Sequence, residues 1–298
     1  MKKMLNYFLA IVLSVCATVA SAQVLKPFIL GSKGPGDLVQ KVEETKKALT
    51  GAGFTIVGTY NPYANTSLIV VTNDELKTTA AKSEMGGFGA AQRVSVVKVK
   101  DEIQVAYANP IYWSNIYRMA GDLKGTQEKL QAALGKVEEF GAKGLTAQQL
   151  RKYHYMMMMP YFDDPDRLVM HASHEDAVKA VEAGLAAGKQ GVTKVYRVDI
   201  PGKKEVVFGV AMKGEGKDKI MDDKFIMGEI DFTDVKSAAH LPYEMLVVDR
   251  YVYALSARFR IAASFPDLSM TGENSFMRIM ECPEAIKKAL AYTAGDKD

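Results

Sequence analysis

The stretch Tyr153-His154-Tyr155-Met156-Met157-Met158-Met159 sets an imidazole among thioethers, and His171 and His174 follow shortly after, with Met170 beside His171. Imidazole and thioether are borderline-to-soft donors that suit copper in either oxidation state or an axial position on iron. His154, Met158, His171 and His174 are therefore the candidate metal ligands. Against them stands helical geometry. Thr146 and Gln149 read as a capping box opening a helix that runs to Pro160, and consecutive residues on a helix point in different directions. Methionine also fills irregular gaps such as the seam between packed units. The reading expects packing and no resident cofactor, with copper or non-covalent haem as the alternative.

Other motifs fall short of chemistry. Gly31-Ser32-Lys33-Gly34-Pro35-Gly36 joins a strand to a helix, but Asp37-Leu38 stands where a phosphate-binding loop needs Lys and Ser or Thr. Met85-Gly86-Gly87-Phe88-Gly89 lacks the dinucleotide spacing and reads as a flexible turn. The chain has no Gly-x-Ser-x-Gly elbow, no Cys-x-x-Cys-His and no His-Glu-x-x-His. Asp163-Asp164-Pro165-Asp166 lacks the alternating ligands of a calcium loop and reads as a turn. Cys282, just before Pro283, reads as a buried residue at a helix start.

The 298 residues carry 38 basic and 35 acidic side chains, a formal charge of +3, so no one-sign field is available to steer nucleic acid. Lys2 and Lys3, the apolar run Leu5–Val15 and Ala20-Ser21-Ala22 have the order of a secretory signal cleaved after Ala22. The expectation is a periplasmic or secreted protein with no membrane span after cleavage and Cys282 as its only thiol.

Two similar units follow. Phe28–Ser32 matches Val169–Ser173, Val94–Val97 matches Met245–Val248, and Ile103–Pro110 matches Phe259–Pro266. Each copy reads as a strand, a helix ending at glycine, two strands, a polar helix, a strand pair and a closing helix. The strand pairs fall at 93–99 with 103–108, and 244–254 with 258–264. The fold class is α+β, two β-α-β-β-α-β-β-α units packed as an intramolecular pseudo-dimer. The divisions are a signal peptide at 1–22, a first repeat at 23–140, a helical connector at 141–166 and a second repeat at 167–298.

The helix ending in Gly51-Ala52-Gly53-Phe54, the following Thr55–Tyr60, the strand Leu68–Val71 and the hairpin Arg93–Pro110 resemble the bacterial family called domain of unknown function 302. His240-Leu241-Pro242-Tyr243 resembles its Leu-Pro-Cys segment, with Tyr243 where many members carry cysteine. The resemblance implies a tandem form of a fold whose single-domain members dimerise. It implies no activity, and the missing cysteine argues against thiol chemistry. The expected function is non-catalytic binding of a small molecule or a periplasmic protein in the groove between the repeats. The alternatives are a periplasmic copper or haem binder and an enzyme of unrecognised mechanism.

Overall fold

The computed structural model describes residues 23–296, so the expected signal peptide lies outside the described residues. The chain begins with β1 (Val24–Leu25), β2 (Phe28–Pro35), α1 (Leu38–Gly51), β3 (Thr55–Tyr60), β4 (Thr66–Thr72) and α2 (Asp74–Ala81). It continues through β5 (Gln92–Val99), β6 (Glu102–Ala108), α3 (Pro110–Ile116), α4 (Lys124–Leu134) and β7 (Glu138–Phe140). A connector carries β8 (Leu145–Thr146), paired to β1, and the single turn α5 (Ala147–Leu150). The second half holds β9 (Asp166–Met170), α6 (His174–Ala186), β10 (Val192–Asp199), β11 (Glu205–Met212) and α7 (Asp223–Ile230). It closes with β12 (Tyr243–Val248), β13 (Tyr251–Ala254), α8 (Ala257–Ser264) and α9 (Cys282–Thr293).

The fold is α+β. One antiparallel sheet has the order β3-β4-β5-β6-β2-β7 and the other β10-β11-β12-β13-β9. Local chemistry starts the helices as the sequence suggests: Asp37 accepts from the Gln40 N–H and Ser173 from the Asp176 N–H. In α1, Val42, Thr45 and Leu49 are buried, and in α6, Ala177, Val181 and Leu185. α1 and α4 cover one face of the first sheet. α6 and α9 cover the corresponding face of the second.

The sheets share strand order, strand direction and the places where the ladder skips a residue. Val57 bulges between Ile56 and Gly58, as Val195 does between Lys194 and Tyr196. Gly31 is skipped in β2, and Leu168 in β9. This register corrects the sequence matches. Val94 faces Tyr107 as Met245 faces Ala254, so that anchor holds. Ile29 corresponds to Asp166 rather than Met170, because each pairs opposite those same two positions. The third anchor fails: residues 258–264, expected as a strand, belong to α8. Nearly all of α8 is buried, so its apolar residues follow no helical stripe and imitate alternation.

The halves meet reciprocally. The short 3-10 turn at Gly86–Gly89 lies on β11 and β12, while that at Ala238–His240 lies on β4, β5 and β6. β3 and β10 come so close that a Cβ on Gly58 would sit 2.2 Å from the Val195 carbonyl oxygen. An apolar cluster spans the contact, with Leu76, Phe88 and Trp113 from one side and Tyr196, Val207 and Leu246 from the other. The glycine turn expected to be flexible is thus buried, and its Gly87 N–H donates to Glu205 at 2.6 Å. The helical connector is also corrected, since its helix stops at Leu150. Tyr153 and Tyr155 both donate into the second half, to the carbonyls of Ala262 (2.9 Å) and Leu268 (2.7 Å). Residues two apart cannot share one helix face, so these anchors unwind the chain.

Candidate functional site

The candidate metal ligands of the alternative reading do not converge. His154 Nδ1 bonds the Met156 carbonyl at 2.8 Å and its ring lies against Tyr161. His171 Nε2 meets the Ala294 carbonyl at the end of α9, and His174 Nδ1 the Asp249 carbonyl in the β12–β13 turn. Each imidazole thereby fixes a chain end or turn. Among the described residues no group of three or more His, Cys, Asp or Glu side chains is arranged to hold a metal ion. The methionines do not fill a seam either: Met157 and Met158 are 83% and 93% exposed, Met158 with φ 70°. Met159 alone of the four is half-buried, lining a small hollow with Phe265 and Met270. Cys282 is buried at the start of α9, and burial pushes its thiol up to about 12, so it is not a thiolate.

A polar cluster that sequence reasoning missed lies at the centre of the seam. Arg93 of β5 and Glu244 of β12 occupy corresponding positions in the two sheets and pair at 3.2 Å. Arg260 of α8 joins them, its Nε 3.2 Å from Glu244 Oε2 and its Nη2 donating to the His240 and Pro242 carbonyls. Both guanidinium groups lie over the Trp113 ring, at 4.5 and 5.0 Å from its centroid. His240 bonds Ser264 Oγ at 2.7 Å and the Tyr243 hydroxyl at 3.1 Å.

Burial, with the charges of Arg260 and Arg93, holds the imidazole well below its ordinary value, and it stays neutral. Burial works against the charge on Arg260, but the Glu244 carboxylate and nearby tyrosine oxygens outweigh it, so its pKa rises. Ser264 and His240 have the contact of a nucleophile and its base. Both are wholly buried, however, so solvent does not reach them. The cluster welds the halves together. Tyr243, where the resemblance places a cysteine, is one of its buried members. Sequence alternation at 258–264 hid this cluster by setting Arg260 in a strand.

The seam opens at one rim. A groove of about 620 Å³ takes its walls from both halves. On one side runs β7, an edge strand paired only to Phe28–Leu30, with Phe140 packed on Phe28 at 5.6 Å between ring centroids. On the other stands the loop after α7. Both Asp231 carboxylate oxygens accept from the Ser237 N–H, at 3.0 and 3.1 Å, closing that loop. Burial raises this carboxyl to about 6, with the Ser237 bond and Lys236 opposing. Gln104 of β6 clamps the loop, donating to the Asp234 carbonyl (2.9 Å) and accepting from the Lys236 N–H (3.0 Å).

So held, Phe232 stays 55% exposed beside Val235, Phe265 and Leu268. The groove continues past Ala142 and Asp267 into a second hollow, of about 550 Å³, beside Tyr153 and His154. A larger hollow, about 800 Å³, belongs to the second half alone, between α9 and residues 216–221. All three are in the size range of ligand clefts.

No family model, no curated protein and no solved structure matches the chain.

Proposed function

We propose that this is a non-catalytic binding protein, exported to the periplasm, whose ligand occupies the groove between its halves. The observation that carries the reading is Phe232: a large apolar side chain held more than half exposed by a loop whose polar groups are bonded at Asp231, Gln104 and Lys236. Tying down a loop so as to display an aromatic ring costs chain entropy, and a bound apolar group repays it by burial. The sealing of Ser264 and His240 supports a role without catalysis.

The test is titration with the apolar dye anilinonaphthalene sulfonate. Dye fluorescence should rise on binding, fall sharply in Phe232→Asp, and persist in Tyr292→Asp, a substitution in the larger hollow. Loss in Tyr292→Asp alone would move the site to α9 and overturn the reading.

A further inference from the structure

Resting on that reading, we propose that the groove between the halves takes a short oligopeptide with free termini, bound as an added strand on β7. Three features of the groove meet in this ligand.

The first is backbone. β7 pairs with β2 on one side, and among the described residues no strand pairs with its other edge. An open edge offers N–H and C=O groups at the spacing of an extended chain, and strand addition satisfies them. The lining continues beyond β7 through Gly141, Ala142 and Lys143. β7 itself is three residues long and the chain bends over 141–143, with Gly141 at φ 96°, so the open edge pairs about three residues of a peptide whose ends extend past it.

The second is side-chain chemistry. Phe140, Phe232 and Phe265 line the middle, so alternate side chains of the peptide meet aromatic rings.

The third is polarity of charge. Lys26 and Lys143 line one end, fixed by the pairing of Phe28 with Phe140. Asp267 lies there too, its carboxylate accepting the Lys143 N–H at 2.7 Å. Glu138 and Asp234 line the other end. Glu138 pairs with Leu30, and Asp234 is clamped by Gln104, which faces Lys33 further along β2. A positive end and a negative end match the carboxylate and ammonium of one short peptide. Its carboxyl terminus then lies at Lys26 and Lys143, so the peptide runs parallel to β7. A segment inside a longer protein would present no such pair of charges.

The experiment uses the full mature chain carrying Phe232→Trp as an emission reporter. It is titrated with the peptide Ala-Val-Phe-Val-Ala, with free ends or N-acetylated and C-amidated, and displacement of the dye is followed in parallel. The free peptide should shift the emission and displace the dye. The capped form, and the free form against a second variant carrying Lys143→Glu, should bind about fivefold to tenfold more weakly. Equal binding of free and capped peptide would overturn the inference. So would dye binding that no peptide displaces, which would leave the groove itself standing as the site. Absence of both dye and peptide binding would instead defeat the reading of the groove as a site at all.

Discussion

The centre of the seam and its rim are built from the same two halves and solve opposite problems. At the centre, Arg93, Glu244 and Arg260 are nearly inaccessible. The Glu244 carboxylate pairs with both guanidinium groups, and Arg260 also donates to two backbone carbonyls. Among the buried polar side-chain atoms of the three, Arg93 Nε alone has no hydrogen-bond partner. At the rim, the polar groups are used to hold a loop still while Phe232 faces outward. Ion-paired groups this deeply buried across the seam do structural work. A fixed apolar surface beside an open strand edge is where the proposed reading puts the ligand. The pair Arg93–Glu244 adds a point about symmetry. Equivalent positions in a symmetric dimer would carry like charges, whereas two halves of one chain can place opposite charges there.

The comparison breaks first at the centre. Glu244→Gln leaves two buried guanidinium groups without their counter-ion and should cost about 3–5 kcal/mol in urea denaturation. A cost below about 1 kcal/mol would mean the cluster does not join the halves. Gly58→Ala probes the adjoining contact of β3 with β10. Its Cβ would meet backbone at 2.2 Å, so a loss of about 1–3 kcal/mol is expected, and an unchanged midpoint would dispute the contact.

Much of this was legible beforehand. The Asp37 and Ser173 caps, the Thr146–Gln149 box and the strands around Val70 and Val207 read directly, because cap chemistry and apolar runs are local signals. α8 was not, because a helix buried all round shows no stripe. The correct partner of Ile29 was hidden by the skipped Gly31 and Leu168, which shift the register without changing composition. The connector misled because Met156–Met159 are good helix formers, and only the bonds of Tyr153 and Tyr155 to the second half unwind them. The groove depends on Gln104 meeting residues 234–236, a contact no local pattern announces.

A gentler probe lies between centre and rim. Asp223 of α7 faces Tyr60 of the first half at 3.5 Å and accepts the Met212 N–H, while its Oδ1 has no hydrogen-bond partner. Burial pushes this carboxyl up to about 8. Between 3.8 and about 8 the unfolded chain gives up a proton the folded chain keeps, so stability falls as pH rises through that window and levels off above it. The slope is up to about 1.4 kcal/mol per pH unit, steeper below about 6, where Asp231 adds to it. Denaturation midpoints of Asp223→Asn should lose the dependence between 6 and 8. A slope unchanged by the substitution would assign it elsewhere.

The smallest effect on stability belongs to the rim. Phe232→Asp should shift the midpoint by no more than about 0.5 kcal/mol while abolishing dye binding. A large loss of stability would make Phe232 part of the core.

Hydrogen–deuterium exchange on the dye-bound protein tests the central claim most directly. Slower exchange should arise at residues 138–143 and 230–237 together, in segments from opposite halves. Slowing in one half alone, or at 280–292, would contradict a site made by the meeting of the two.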